Sequence, residues 1–152
     1  MSHSDLSHAD NALVPAPTRL RVVRILALLW NLVGVAMFFL HTRMAPEQIP
    51  ALPEAQRMVY AAMPAWLDIA YGIAVFAGVF GAVGLLLRRR WAVWLLAVSL
   101  LAVLVQMGAI YAMTPAWQAS GLSGLPMTLL IIGIAAWLLW FARRAEARRW
   151  LR

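Results

Sequence analysis

The chain has 152 residues, 64% of them hydrophobic and 12% charged. A soluble domain carries about twice that charged share, and a chain this short has little interior in which to hide so much apolar surface. A water-soluble monomer is therefore excluded, and the excess apolar surface must face lipid. The net charge of +7 comes from thirteen arginines against six acids. In a soluble protein it would point to nucleic acid. Here the arginines gather at the ends of apolar runs, where they act as topology signals, so no nucleic-acid partner is expected. Cysteine is absent, which excludes disulfides, thiolate nucleophiles, thiolate-bound zinc and iron–sulfur ligation.

Residues 1–18 are polar, with Pro15 and Pro17, and read as a disordered cytoplasmic tail. His3 and His8 lie near Asp5 and Asp10, but on such a tail they read as solvated groups rather than a metal tract. The start has too long a polar lead, and no small-residue cleavage site, for a secretory signal peptide. A four-helix transmembrane domain is expected over 19–142. Its first span covers 22–41, preceded by Arg19, Arg21 and Arg24, the last snorkelling from the span's end.

A loop over 42–63 holds two segments with helix-start proline, MAPEQI and LPEAQRMVYAAM. In the second, Ala55, Met58, Val59 and Ala62 fall on one stripe, the pattern of a short amphipathic helix lying at the outer interface. It reads as a cover sealing the bundle; a mobile lid is the sharper alternative.

The second span is expected over 65–87. Ala70, Ala74, Gly78 and Ala82 recur every fourth residue, with Gly81 and Gly84 beside them. Small residues at that spacing let a second backbone approach closely, from another helix of this chain or from a second copy. A tight turn, Arg88-Arg89-Arg90, leads into the third span, 91–113, which contains Ser99 and Gln106. An uncharged loop, 114–124, precedes a short fourth span at 125–142. A basic tail over 143–152 begins with Arg143 and Arg144.

Arginine placement sets the orientation. With both termini cytoplasmic, eleven arginines lie inside and two, Arg43 and Arg57, outside. Trp91, Trp94, Trp137 and Trp140 then mark the inner interface, and Trp66 and Trp117 the outer one. The expected fold is an all-α bundle of four transmembrane helices in the inner (cytoplasmic) membrane. An internal repeat is also possible: LALLWN at 26–31 resembles LAVLVQ at 101–106, and the second and fourth spans both run into arginines and tryptophan.

Polar groups inside a span are the first candidates for function. At 1.5 Å per residue, His41, Asp68, Tyr71 and Gln106 all lie about 22–28 Å from the inner boundary, while Asn31 lies about 10 Å up. The first four are expected to share an outward-opening cavity. Asp68 and His41 would handle protons. Gln106, Tyr71 and Asn31 would hold hydroxyls, and Trp30 would stack on a flat ligand. Each also has a plain structural role: Asp68 at a helix start, His41 at the interface, and Asn31 and Gln106 as interhelical hydrogen-bonding groups of about 1 kcal/mol each. No enzyme motif occurs, and no catalytic residue, metal or cofactor is expected.

From Trp30 onward the chain resembles a family of small bacterial four-helix membrane proteins commonly labelled "sugar transporter". The resemblance is carried by WNLVGV at 30–35, MAPEQI, LPEAQR, Pro64-Ala65-Trp66, GLLLRRRWA at 84–92 and SLLAVLVQ at 99–106. It covers about residues 25–142 and implies four helices and transport of a sugar-like solute. The glutamate of small multidrug exporters and the Pro-Gln pair of small sugar carriers are absent. Two functions stand: a carrier of a small neutral solute, acting as an oligomer packed through the Ala70–Ala82 stripe, and a non-catalytic accessory subunit of a larger membrane complex, whose mark would be a small-residue face left open to lipid.

Overall fold

A computed structural model describes residues 18–43 and 47–151, with side chains from Arg21 onward. The expected disordered tail up to residue 17, its histidines, residues 44–46 of the MAPEQI segment and Arg152 lie outside the described residues. All regular structure among the described residues is helical: α1 (Thr18–Thr42), a 3-10 turn (Ile49–Ala51), α2 (Glu54–Ala62), α3 (Trp66–Leu86), α4 (Trp91–Met113) and α5 (Ala116–Ala147). The helices α1, α3, α4 and α5 are long and apolar enough to cross a membrane. Their outer faces bear large apolar side chains, such as Leu40, Phe80, Trp94 and Leu129, that water would not tolerate. The chain is a multi-pass membrane protein.

Small residues decide which helices meet most closely. In α3, Ala74, Gly78, Gly81, Ala82 and Gly84 are buried and Ala70 half-buried. A methyl group at Gly81 would lie 2.7 Å from Leu96 Cγ, and one at Gly84 would lie 2.7 Å from the Trp91 ring. The stripe is therefore packed against α4 of the same chain. Neighbours in the bundle run α1–α3–α4–α5. The row does not close, because α1 and α5 hardly touch.

The N-terminal end of α1, the α3–α4 turn and the C-terminal end of α5 gather at one end of the bundle. Ala27, Leu85, Ala92, Ala145 and Leu151 share a core there, and Arg88 Nε donates to the Trp150 carbonyl at 2.9 Å. The two helices that arrive at this end stop in the same way. Arg88 (φ 59°) and Arg149 (φ 55°) take the left-handed conformation. The next residue's N–H then reaches back to the last turn, Arg89 N to Gly84 O at 2.8 Å and Trp150 N to Ala145 O at 3.0 Å. This 6→1 bond satisfies carbonyls that a helix end would otherwise orphan.

Three expected boundaries move. The uncharged loop over 114–124 is helical from Ala116, broken only at Gly121 (φ 51°, ψ −140°), a backbone geometry open to glycine alone. The basic tail over 143–152 is no separate segment. α5 runs on to Ala147, with Ala145 and Leu151 buried, because an apolar residue every third or fourth position keeps its core face going. In α2, Ala55, Val59 and Tyr60 turn inward while Met58 and Ala62 stay exposed. The packed face is thus rotated from the expected stripe, because Tyr60 has a partner below it. α2 packs on α5 and is hydrogen-bonded through Tyr60 to α1.

Candidate functional site

A cavity of about 380 Å³ lies between all four long helices. α1 faces it through Asn31 and Gly34, on the same stripe of three- and four-residue steps that carries the buried Arg24 and Ala27 nearer the start of the helix. α3 contributes Tyr71 and Ala74, α4 contributes Ser99 and Gln106, and α5 contributes Met127, Ile131 and Ala135. No charged side chain lines it.

Two of its polar groups are tied down. Asn31 Nδ2 donates to the Ala27 carbonyl at 2.7 Å, and Ser99 Oγ donates to the Ala74 carbonyl at 2.6 Å. Both sit against Gly78, where a side chain would collide with Asn31 Oδ1. Gly78 thus makes room for two polar groups between three helices. The other two are not tied down. Gln106 is 7% exposed, yet neither its amide nor the Tyr71 hydroxyl hydrogen-bonds any described residue. The amide is not sealed, since the sealed, unpaired side-chain polar atoms among the described residues belong to Arg24; it opens on the cavity. Its free donors and acceptor are available to a molecule in the cavity. Trp30, 37% exposed, stands at the cavity's edge and also lines a second groove, open sideways between α1 and α5.

His41 and Asp68 do not line this cavity. They form a separate cluster at the opposite end from Arg88 and Trp150. His41 Nε2 is 3.4 Å from Asp68 Oδ1, and His41 Nδ1 is hydrogen-bonded to the Tyr60 hydroxyl at 2.8 Å, the two rings stacked 5.1 Å apart. Burial, and secondly the nearby Asp68 charge, raise the Tyr60 phenol above its ordinary value of 10. The single site expected from depth is therefore two sites. Tyr71 joins them: its ring meets His41 edge-on at 5.9 Å and it also lines the cavity. Helical rotation separates the groups, since depth along an axis says nothing of the direction in which a side chain leaves it.

Several participants were not among the expected site residues. Ser99 showed only as a hydroxyl within a span, and its position opposite the small stripe of α3 was the available signal. Tyr60 was masked by the apolar stripe beside it, and the α5 wall carries no polar signal at all. Arg24, expected to snorkel, is 4% exposed. Of the expected topology residues, Arg89, Arg90, Arg143 and Arg144 are exposed and Arg88 is half-buried. Arg144 lies over the Trp140 ring at 5.3 Å. Compared with protein-family models, curated proteins and solved structures, the chain matches none.

Proposed function

We propose that the protein is a non-enzymatic membrane carrier for a small, uncharged, hydroxyl-bearing solute of the sugar class, bound in the central cavity. One observation carries this reading: Gln106, 7% exposed, lines the cavity and its amide makes no hydrogen bond among the described residues. The absence of charged groups from the lining favours an uncharged solute, because nothing there would offset an ion's desolvation. Asn31, Ser99, Tyr71 and Gln106 supply hydrogen bonds, and Trp30 supplies a flat apolar face. The cavity's size falls within the range of small-molecule sites. The resemblance over residues 25–142 points the same way.

In this reading both termini are cytoplasmic and the membrane is the cell's inner membrane, as the eleven-to-two arginine asymmetry requires. α2 then lies at the outer interface, covering the mouth from α1 to α5. The His41–Asp68 pair under it is the proton-responsive part, acting on the cavity through Tyr71. A single chain walls the cavity, so any oligomer serves to close the α1–α5 side.

Uptake of radiolabelled glucose and glycerol into proteoliposomes is the direct test. Uptake of either above that of protein-free vesicles, and its loss in Gln106→Leu, is the expected result. Flux equal to empty vesicles for both solutes sinks the reading.

The accessory-subunit reading has one observation of its own. Gly108 and Ala112 are exposed one turn apart on α4, with open space beside Gly108, which is a short small-residue face of the kind membrane helices pack on. Recovery of a stoichiometric partner in mild detergent, lost in Gly108→Leu, would favour it.

A further inference from the structure

The central cavity and the lateral groove are neighbours. Trp30, Val33 and Leu138 line both, so the two spaces adjoin across these three side chains. Two of them belong to α1 and stand open on the bilayer side, Trp30 being 37% and Val33 54% exposed. Because α1 and α5 hardly touch, no packed helix pair shuts the cavity off from lipid at this place.

The two spaces differ in chemistry. The groove, about 440 Å³ in volume, is walled by Leu26, Leu29, Ile134 and Trp137 besides the shared residues. From Val23 to Val33 it follows α1 for about 15 Å. Its side chains offer no hydrogen-bonding group other than tryptophan N–H. The cavity holds the free Gln106 amide and the Tyr71 hydroxyl, but Met107, Met127 and Ile131 give it an apolar wall as well. No charged side chain among the described residues lines either space. A free polyol would leave that wall unused and would bury hydroxyls beyond the few that find partners, which is unfavourable. A molecule with a hydroxylated end and an apolar chain suits both spaces at once.

We propose that the ligand of the cavity is an uncharged single-chain lipid with a hydroxylated head, of the monoacylglycerol or alkyl glycoside class, entering sideways from the bilayer between α1 and α5. That the cavity is the binding site rests on the carrier reading; the chain and the lateral route do not. The head lies at Gln106 and Tyr71, where the amide N–H donates to a hydroxyl oxygen and the amide carbonyl and phenol oxygen accept hydroxyl protons. The chain passes Trp30, Val33 and Leu138 and lies in the groove. A chain leaving lipid for this groove gains no hydrophobic driving force, so selection falls on the head. A phospholipid is disfavoured, because its phosphate would lose water along this path with no counter-charge to meet it.

The test uses the full chain in phosphatidylcholine vesicles with two photoreactive probes, a monoacylglycerol and a phosphatidylcholine carrying the same diazirine midway along one acyl chain. Labelled residues are mapped by mass spectrometry. The monoacylglycerol is expected to label Leu26, Leu29, Ile134 and Trp137 at least fivefold more than the phosphatidylcholine does, and unlabelled monoacylglycerol should compete it away. Gln106→Leu removes the partner of the head, and Val33→Trp narrows the threshold while leaving Gln106 in place. Each should cut the label at least fivefold, so Val33→Trp decides if Gln106→Leu does not survive purification. Leu129→Trp, on an exposed face away from both spaces, should label as wild type. Equal labelling by the two probes, or labelling undiminished in Gln106→Leu or Val33→Trp, overturns the proposal. So does a high yield of disulfide between two Leu29→Cys chains in the vesicles, since a second copy would then cover the groove. Glucose or glycerol uptake without selective labelling sinks the lipid ligand alone, whereas selective labelling without uptake upholds it and sinks only the carrier reading.

Discussion

His41 at the end of α1 and Asp68 in the first turn of α3 stand 3.4 Å apart, and the same imidazole holds Tyr60 of α2 through its other nitrogen. One side chain thus fastens two membrane helices and the short helix above them. With Nε2–H directed at the carboxylate, Nδ1 accepts the Tyr60 proton. When the ring is doubly protonated, both nitrogens donate and the Tyr60 hydroxyl must turn to accept. The pair is partly open to water, the side chains being 24% and 47% exposed, so its net contribution to stability is about 1 kcal/mol or less. Asp68→Asn should therefore lower Tm only slightly. In the carrier reading it should lower uptake driven by an inward proton gradient and leave uptake without a gradient unchanged. A large loss of Tm would instead mark Asp68 as purely structural.

The Tyr60 bond is what seats α2. A nine-residue helix is too short to persist without tertiary contacts. Tyr60→Phe should raise amide hydrogen exchange across Glu54–Ala62 about fivefold, the equivalent of one hydrogen bond of about 1 kcal/mol. Exchange in α3 and α4 should not change. Unaltered exchange in α2 would show that packing on α5 alone holds it.

Alkaline pH should unseat the same helix. Because burial and Asp68 raise the Tyr60 pKa above 10, the docked state holds its proton more tightly than the undocked state does. Between the ordinary value and the raised one, the docked form binds more protons, so docking weakens as pH rises. The contribution is whole below about pH 10 and is lost as pH climbs through the raised value. Absorbance titration of the tyrosines, compared with Tyr60→Phe, should show one phenol ionising late. Asp68→Asn should remove only the smaller part of the delay, since burial is the larger cause.

Glycine substitutions separate packed positions from open ones. Gly78→Ala drives a methyl into Asn31 Oδ1, and Gly81→Ala brings one to 2.7 Å from Leu96. Each should destabilise by about 1–3 kcal/mol, read as a lower Tm in detergent. Gly133→Ala meets nothing within 4 Å and should not lower it. Equal effects at all three positions would mean that the α3–α4 contact is not the tight one.

Gln106 offers the sharpest contrast between stability and binding. Its amide has no described partner to lose, so Gln106→Leu should leave Tm unchanged or raise it, while abolishing solute uptake. Ser99→Ala gives up a real bond to Ala74 and should cost about 0.6 kcal/mol, a typical value for hydrogen bonds within membranes. A Gln106→Leu protein less stable than Ser99→Ala would show that the glutamine serves the fold.

The bilayer itself makes part of this molecule legible in one dimension. Spans must be apolar and about twenty residues long, so α3 and α4 could be placed from hydropathy almost to the residue and α1 to within one turn at its start, and the small stripe of α3 announced a close neighbour. Gln106 and Asn31 stood out because polar groups in a span are rare. Tertiary structure decided the rest. Whether the stripe met α4 or a second chain, whether His41 and Gln106 faced one another, and whether Arg24 turned to water or to the core all depend on helix rotation and on which neighbour arrives. Lipid is indifferent to which apolar face it meets, so hydropathy fixes each helix's length and depth but leaves its rotation to packing against the other helices.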